Sequence, residues 1–181
     1  MVEALALERQ DRHGDMSLAL SNLSISLLRN TGIAMIQKAQ PVTKDQVIAL
    51  SDEMNFTLPM ENCRVVTDEQ GAEICSISPT TWFVQSDFDK ISSYTQQVNN
   101  LGHGRSIIAT DMSDQIICLE VFGVGAIELF SKGCSLDFRK SMFPVGSSAR
   151  SLLGQANVIF NHIAVDKYHL LLDVSLLDYL W

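Results

Sequence analysis

The segment Gly123-Val124-Gly125 is the first candidate for chemistry, because it follows a predicted strand and opens a predicted helix. Backbone N–H groups at such a junction can hold a phosphate. In a dinucleotide-binding fingerprint the third glycine would fall at position 128, where Glu128 instead places a negative charge against a pyrophosphate. We therefore interpret the segment as a tight turn. Gly102-His103-Gly104 is a weaker candidate, because it ends a predicted helix.

The histidines are candidate bases or metal ligands. His162 and His169 fall on neighbouring predicted strands, but neither has an acidic or cysteine partner at ligand spacing. A zinc site needs three or four protein ligands, and that count is not reached. We therefore expect His13, His103, His162 and His169 to be surface or edge-strand residues.

Two further segments carry nucleophilic side chains. Ser147-Ser148 has no G-x-S-x-G elbow and no assigned base or oxyanion donor, so we predict a capping or turn role. Cys134 follows a predicted helix C-terminus, where the dipole disfavours a thiolate unless Lys132 offsets it, and we expect it to be packed. The spacing of the cysteines contains no C-x-x-C pair and favours reduced thiols. These cysteines are Cys63, Cys75, Cys118 and Cys134.

One locally basic stretch interrupts the acidic chain. It contains Lys132, Arg139, Lys140 and Arg150, with Asp137 as the only acid between them. The stretch suits an anionic ligand or the acidic surface of a partner, and a solvated loop is the other open interpretation. We take these four as candidate partner contacts, and we assign no catalytic, cofactor-binding or metal-binding residue.

The elements that position these residues begin after a weakly patterned N-terminal arm, residues 1–30. The first half, about residues 31–111, predicts the order strand, helix, two strands, helix, strand, which matches the split βαβ or ferredoxin-like arrangement. Thr43 and Asp87 are expected to cap the helices, and Ser78-Pro79-Thr80 to turn the central hairpin. The expected strands are 33–37, 72–77, 81–85 and 106–110, with helices from 44 and over 88–100.

The second half, about residues 112–181, begins in the same way and then diverges. A strand at 115–122 leads through the glycine turn into a short helix ended by Gly133. Strands at 149–153, 158–163 and 168–173 follow a long connection, and Ser175 is expected to cap a last short helix. The order of elements therefore predicts an α+β fold of two ferredoxin-like halves in a single domain, residues 31–181.

Composition excludes several classes of function. The 181-residue chain has 13 Lys and Arg against 21 Asp and Glu, a net charge of -8, which disfavours nucleic-acid binding. Its acidic start is unlike a signal peptide, and no stretch reaches the ~20 apolar residues of a membrane span, so we predict a cytoplasmic protein. The charged fraction of 19% is below the usual value of about 25%, which indicates a face covered by another chain.

Several sequence motifs are distinctive in combination. Three lie near the C-terminus: KGCSLD at 132–137, FPVGSSAR at 143–150 and DYLW at 178–181. Two others are ISPTTWF at 77–83 and TDMS at 110–113. Together these motifs resemble one known family, the gamma subunit of heterotetrameric sarcosine oxidase, with ISPTTWF like its central hairpin and TDMS like its midpoint. The likeness runs from about Gly32 to Trp181, and the arm contributes nothing to it.

That family resembles the folate-binding domain of the glycine-cleavage T-protein, an aminomethyltransferase, and this likeness implies the same ferredoxin-like halves. T-proteins place adjacent aspartates on a strand after a Gly-Gly pair, and the corresponding stretch here runs from Gly154 to Val158 with Asn157. An amide can hydrogen-bond but cannot take a proton. The resemblance therefore implies that this chain neither transfers one-carbon units nor binds folate productively.

The resemblance also implies a complex that oxidatively demethylates sarcosine to glycine, in sarcosine catabolism and one-carbon metabolism. FAD, FMN, NAD and tetrahydrofolate would be held by the alpha and beta subunits, and zinc by delta. No cofactor would remain for this chain, which would be a non-catalytic structural subunit. Two alternatives stay open: a gamma-like subunit of a related N-methyl amino acid dehydrogenase, such as N-methylglutamate dehydrogenase, and a stand-alone folate-binding protein of the T-protein superfamily.

Overall fold

The computed structural model describes residues 16–54, 56–101 and 106–181. Within them, strands form two antiparallel sheets, and helices follow the strands in both halves of the chain. The strands are β1 Ser17–Ala19, β2 Ser24–Leu27, β3 Thr31–Lys38, β4 Arg64–Thr67, β5 Glu73–Ser78, β6 Thr81–Asp87, β7 Ile107–Asp111, β8 Ile116–Phe122, β9 Ser148–Leu153, β10 Ala156–Ala164 and β11 Lys167–Asp173. The helices are α1 Lys44–Met54, α2 Phe88–Leu101, α3 Ala126–Gly133 and α4 Leu177–Leu180, with a 3₁₀ turn at Val174–Leu176.

The five-stranded sheet is built within residues 31–111 and has the strand order β4-β5-β6-β3-β7. Apart from β4, this order and its antiparallel pairing are those of a ferredoxin-like sheet, as predicted. The hairpin between β5 and β6 also lies where it was predicted. Strand β4 was not predicted, because four residues are too few for a pattern of alternation to emerge.

The predicted N-cap of the first helix is confirmed, whereas the predicted N-cap of the last helix is not. Thr43 caps α1 as expected: its Oγ1 accepts from the Gln46 N–H at 3.3 Å, and Gln46 Oε1 accepts from the Thr43 N–H at 3.0 Å. The prediction that Ser175 caps the last helix is wrong. Asp173 caps the 3₁₀ turn that leads into α4, because its carboxylate accepts from both the N–H and the hydroxyl of Ser175, and α4 itself begins after Leu176 without a side-chain cap.

The six-stranded sheet has the strand order β1-β2-β8-β11-β10-β9. Its strands β9-β10-β11-β8 follow one another as β4-β5-β6-β3 do in the first sheet. The position beside β3 that β7 occupies in the first sheet is taken, beside β8, by β2. The predicted pair of ferredoxin-like halves is therefore confirmed as a fold, but the second half is completed by a strand from the beginning of the chain.

The prediction of an N-terminal arm over residues 1–30 is wrong for residues 17–27. Strand β2 pairs with β8 from Ser24↔Phe122 to Leu27↔Leu119, and β1 pairs with β2. The partner of Ser24 lies 98 residues away along the chain, so no local pattern could reveal the pairing. Residues 1–15 lie outside the described residues.

The inner faces of the two sheets pack on each other, and the helices cover the outer faces. Between the sheets lies an apolar layer to which both contribute, including Ile33, Phe83, Cys118, Ile159 and Leu171. Helices α1 and α2 pack on the five-stranded sheet, and α3 and α4 on the other. The order of layers is helix, sheet, sheet, helix.

Backbone hydrogen bonds also join the sheets along one edge, between β4 and the segment leading into β9. The Val65 N–H donates to the Gly146 carbonyl and the Ser148 N–H to the Cys63 carbonyl, each at 2.9 Å, and Arg64 forms a bridge with Ser147. Because these bonds cross from one sheet to the other, the relative position of the sheets is fixed at this edge as well as by the apolar layer.

The turn at Gly123 gives a first prediction. Gly123 has φ +125°, and a Cβ there would lie 2.3 Å from the Asn22 carbonyl oxygen, whereas Gly71, with φ +83°, has open space around its missing Cβ. Gly71→Ala should cost about 1 kcal/mol from backbone strain, and Gly123→Ala at least about 3 kcal/mol, because the loop before β2 must also shift. Urea unfolding of both variants checks this, and equal losses would contradict it.

Candidate functional site

Five polar or charged side chains gather between the two sheets, at the border of the apolar layer. We call them the inter-sheet cluster. They come from four strands, with β5 and β6 belonging to one sheet and β8 and β11 to the other. The members are Glu73, Gln85, Glu120, Lys167 and His169.

Strand register places these side chains. Glu73 and Gln85 are direct neighbours across β5 and β6, and Glu120 and His169 are direct neighbours across β8 and β11. Residues in a strand alternate between faces. On β11 the flanking Tyr168 therefore joins the outer core under α3, while His169 turns inward to the other sheet.

The imidazole of His169 contacts a carboxylate at each nitrogen. Its Nδ1 lies 2.7 Å from Glu73 Oε2, across the interface, and its Nε2 lies 3.2 Å from Glu120 Oε2 on the neighbouring strand. Lys167 Nζ lies 2.8 Å from the same Glu120 oxygen. Glu73 and His169 are both largely buried, so little of the pair between them is exposed to solvent.

Burial and neighbouring charges shift the pKa values of His169 and Glu120 in the cluster. Burial lowers the pKa of His169, but the hydrogen bond to Glu73, its charge and the hydrogen bond to Glu120 outweigh burial, so the net shift is upward from 6.5. Burial raises the pKa of Glu120, but hydrogen bonds from Lys167 and His169 lower it overall. The cluster therefore favours a charged imidazole between two carboxylates.

This arrangement determines what the cluster can do chemically. An imidazolium that donates from both nitrogens has no lone pair left to accept a proton, so His169 is suited to ion pairing and not to the role of a general base. An open cavity of about 180 Å³ borders the cluster and is lined by Glu73, Gln85, Asp87 and His169, among others. Water can reach the ion pair from this side.

Sequence reasoning missed Glu73 and Glu120, and it misplaced the histidines. The prediction that His162 and His169 are surface or edge residues is wrong, since both are buried. The acidic partners of His169 are 96 and 49 residues away, so no ligand spacing could reveal them. His162 is stacked on Tyr168, with ring centroids 4.3 Å apart, and its Nδ1 lies 2.8 Å from the Phe143 carbonyl. His13 and His103 lie outside the described residues, as does the segment 102–104.

The glycine turn has its backbone donors engaged within the protein. The Gly123 N–H donates to the Asp166 carbonyl at 2.8 Å, and the Gly125 N–H donates to the Asn22 carbonyl at 3.0 Å. These bonds tie the start of α3 to the β10–β11 turn and to the loop before β2. The interpretation as a tight structural turn is confirmed.

The basic stretch is not one patch in the structure. Lys132 pairs with Glu128 at 2.9 Å on α3, whose C-terminal end lies against Gly154 in the turn before β10. Lys140 lies 3.7 Å from Asp166, in the turn at the other end of β10. Arg139 adjoins Lys140 along the chain, whereas Arg150 lies on another element. Arg139 pairs with its neighbour Asp137, and Arg150 is exposed on the edge strand β9.

The sequence matches the model of the sarcosine oxidase, gamma subunit family over residues 39–181. The chain belongs to this family. No curated protein sequence matches it.

Two solved structures have a fold similar to this gamma-subunit family member. The heterotetrameric sarcosine oxidase from Corynebacterium sp. U-96, in complex with pyrrole 2-carboxylate, matches with a TM-score of 0.78 at 16% identity, covering 90% of this chain and 82% of that chain. The glycine cleavage system aminomethyltransferase T from Bartonella henselae matches with a TM-score of 0.63 at 8% identity, covering 97% of this chain and 55% of that chain. The expected likeness to both the oxidase and the T-protein is confirmed.

In this family member, Asn157 is exposed near the start of β10. Across residues 16–54, 56–101 and 106–181, no three His, Cys, Asp or Glu side chains are grouped so that they could hold a metal ion. The helices described for these residues include none that is long and apolar enough to cross a membrane.

The Ser148 hydroxyl and three of the cysteine thiols are buried or partly buried within the protein. Ser148 is buried and donates from its Oγ to Asn161 Oδ1 at 2.7 Å. Cys134 is partly buried against the outer core of the six-stranded sheet, as expected. Between the sheets, burial raises the pKa of the Cys75 thiol to about 11 and that of Cys118 well above its usual range. These two thiols are therefore protonated at neutral pH.

Thiol burial gives a second prediction. Under native conditions iodoacetamide should modify the exposed Cys63 at least about a hundredfold faster than Cys75 and Cys118, because the buried thiols are neutral and become accessible only when the sheets separate. Peptide mass spectrometry after timed labelling measures each site separately. Labelling in urea is the control and should remove the difference. Rapid native labelling of Cys75 would contradict the described packing.

Proposed function

We propose that this chain is a non-catalytic, structural gamma subunit of a heterotetrameric sarcosine oxidase that oxidatively demethylates sarcosine to glycine. The observation that carries the proposal is the match to the gamma-subunit family over residues 39–181. The fold likeness to a heterotetrameric sarcosine oxidase agrees with it. The partners in this proposal are the alpha, beta and delta subunits of a cytoplasmic complex.

The chemistry of the described side chains supports a role without catalysis for this chain. His169 is engaged at both nitrogens, and the thiols of Cys75 and Cys118 are held protonated. Asn157 replaces the carboxylate on which folate chemistry depends in the T-protein pattern. In our proposal FAD, FMN, NAD, tetrahydrofolate and zinc are therefore bound by the other subunits.

We also propose that residues 17–181 fold as one domain, in place of the expected 31–181. Strand β2 supports this extension, because it fills the position beside β8 and packs Ile25 and Leu27 on the outer core. Without it, the inner strand β8 would become an exposed edge with unpaired backbone groups.

An apolar end of the six-stranded sheet supports contact with another subunit. Phe122 and Val124 lie on either side of Gly123, whose N–H bonds to the β10–β11 turn that carries Val165. These three side chains are 52%, 70% and 67% exposed. Contiguous exposed apolar side chains are typical of surfaces that another chain covers. We call Phe122, Val124 and Val165 the apolar end and propose that it contacts a partner subunit.

Among the four basic candidates, Lys140 has the position that best suits a partner contact. Its pairing with Asp166 places it beside Val165, at the border of the apolar end. Interfaces commonly combine an apolar centre with a polar rim. We propose Lys140 as a rim contact, and Arg139 with it, whereas Lys132 and Arg150 would contact a partner only if it also covers α3 and β9.

Co-expression tests the proposed function. The full chain expressed with candidate alpha, beta and delta subunits should elute as one complex that contains flavin and oxidises sarcosine, and the chain expressed alone should be colourless and inactive. Gel filtration with light scattering, flavin absorbance and sarcosine-dependent peroxide formation measure this. Flavin retained by the chain alone, or activity with N-methylglutamate and none with sarcosine, would contradict the proposal.

A matched pair of variants tests the apolar end. Val165→Asp should weaken assembly about tenfold, because a desolvated carboxylate would face the partner. Ile48→Asp places the same charge at an exposed apolar position on α1, in the other half of the chain, and should assemble normally. Lys140→Glu and Lys132→Glu make a second pair of variants. Lys140→Glu should assemble more weakly than Lys132→Glu, because Lys140 borders the apolar end. Equal assembly of Val165→Asp and Ile48→Asp would exclude this surface.

A further inference from the structure

The ion pair between His169 and Glu73 is the charged contact that joins the two sheets within the inter-sheet cluster. His169 belongs to the six-stranded sheet and is 4% exposed, and Glu73 belongs to the five-stranded sheet and is 9% exposed. Nδ1 and Oε2 are 2.7 Å apart. A buried carboxylate without a counter-charge is costly, so the packing of β5 against β11 depends on the state of this imidazole.

When both carboxyl groups are ionised, the positions of the acceptors require a doubly protonated ring. Ionised carboxylates only accept hydrogen bonds, and a neutral imidazole carries one N–H. A neutral His169 could therefore donate to Glu73 or to Glu120 but not to both. Only the imidazolium satisfies the two contacts of 2.7 and 3.2 Å together.

Gln85 provides an alternative partner for the neutral ring. Its amide Nε2 lies 3.3 Å from Nδ1 of His169, and its Oε1 is buried without a hydrogen-bond partner. Amide oxygen and nitrogen are distinguished by the network around them. Beside an imidazolium the amide oxygen belongs next to Nδ1–H, whereas beside a neutral ring the amide N–H can donate to the Nδ1 lone pair. The second arrangement leaves Glu73 without its donor.

The other groups around the ring define the electrostatic balance. Cys118 and Glu120 come from β8, Lys167 from β11, and Asp87 from the end of β6 at the cavity. Cys118 is a neutral thiol, Lys167 is paired with Glu120 at 2.8 Å, and Asp87 is paired with Lys90 at 2.9 Å. Glu73 is therefore the carboxylate that depends on His169 for its counter-charge. The bordering cavity gives water and protons access to the ring.

We propose that His169 is a pH-dependent latch between the two sheets: the imidazolium holds Glu73 across the interface, and loss of its proton turns the ring to Gln85 and loosens the packing of β5 on β11. The consequence is a chain that is most tightly packed at mildly acidic to neutral pH and opens along this border of the sheets as pH rises.

The direction follows from linkage. The pKa of His169 is raised in the folded chain, so its contribution to stability is complete below 6.5 and is lost as pH rises through the folded value. Glu120, whose pKa is lowered from 4.5, acts on the acid side, since its contribution is lost only as pH falls through its folded value. The two effects therefore occur in separate pH ranges.

Two measurements on the full chain test the latch. Histidine-selective NMR titration, with His169→Gln to assign the signal, should give an imidazole that titrates above 6.5 in wild type. Urea unfolding from pH 6 to 9 should show the folded-to-unfolded ratio falling, by up to about tenfold per pH unit between the unfolded and folded values. His169→Gln should remove that decline.

Glu73→Gln is the decisive variant and Glu53→Gln, at an exposed position on α1, its matched control. Glu73→Gln should weaken proton binding at His169 by about tenfold or more, and Glu53→Gln should leave it unchanged. A wild-type signal titrating at or below 6.5 would overturn the proposal even if Glu73→Gln fails to fold. So would stability that does not change with pH, or a Glu73→Gln titration equal to that of wild type.

Discussion

The burial of two sheet faces against each other is the constraint on which the rest of this structure depends. Strands β5, β6, β8 and β11 each turn one face to the other sheet, and most of what they present is apolar. Where a strand presents a charge to this layer, the charge must find a partner, because the interior does not solvate it. Glu73 and His169 satisfy that requirement for each other across the interface. The inter-sheet cluster is thus a consequence of the fold's layered order.

The order of strands within each sheet explains why the six-stranded sheet needs a strand from the N-terminal part of the chain. In the first sheet, β3 is flanked by β6 and β7, and in the second, β8 is flanked by β11 and β2. Because β8 packs against the protein on both faces and carries hydrogen-bonding groups on both edges, it requires a strand on each side. The likeness to a T-protein at 8% identity rests on this strand order and not on shared residues.

Much of the fold could be predicted locally. The hairpin around Pro79, the cap at Thr43 and the turn at Gly123 each depend on residues a few positions apart, and each lies where the pattern placed it. Strand β4 and the strands before residue 31 were missed, since each has only three or four residues, and alternation over so short a run does not distinguish a strand from a loop. The cap at Asp173 was assigned two residues late for a related reason: Asp and Ser both suit an N-cap, and only geometry distinguishes them.

The sequence by itself determined the family, the first ferredoxin-like half and most strands of the second, because these depend on ordered local patterns and on motifs such as those at 132–137 and 143–150. The strand β2 that completes the second half was decided by tertiary pairing. Tertiary structure alone decided that His169 is an ion-pair partner and that Lys132 and Lys140 lie at opposite ends of β10. Charges buried between sheets pair through strands that are distant along the chain. Their register, and not their spacing in sequence, brings the two carboxylates to one imidazole.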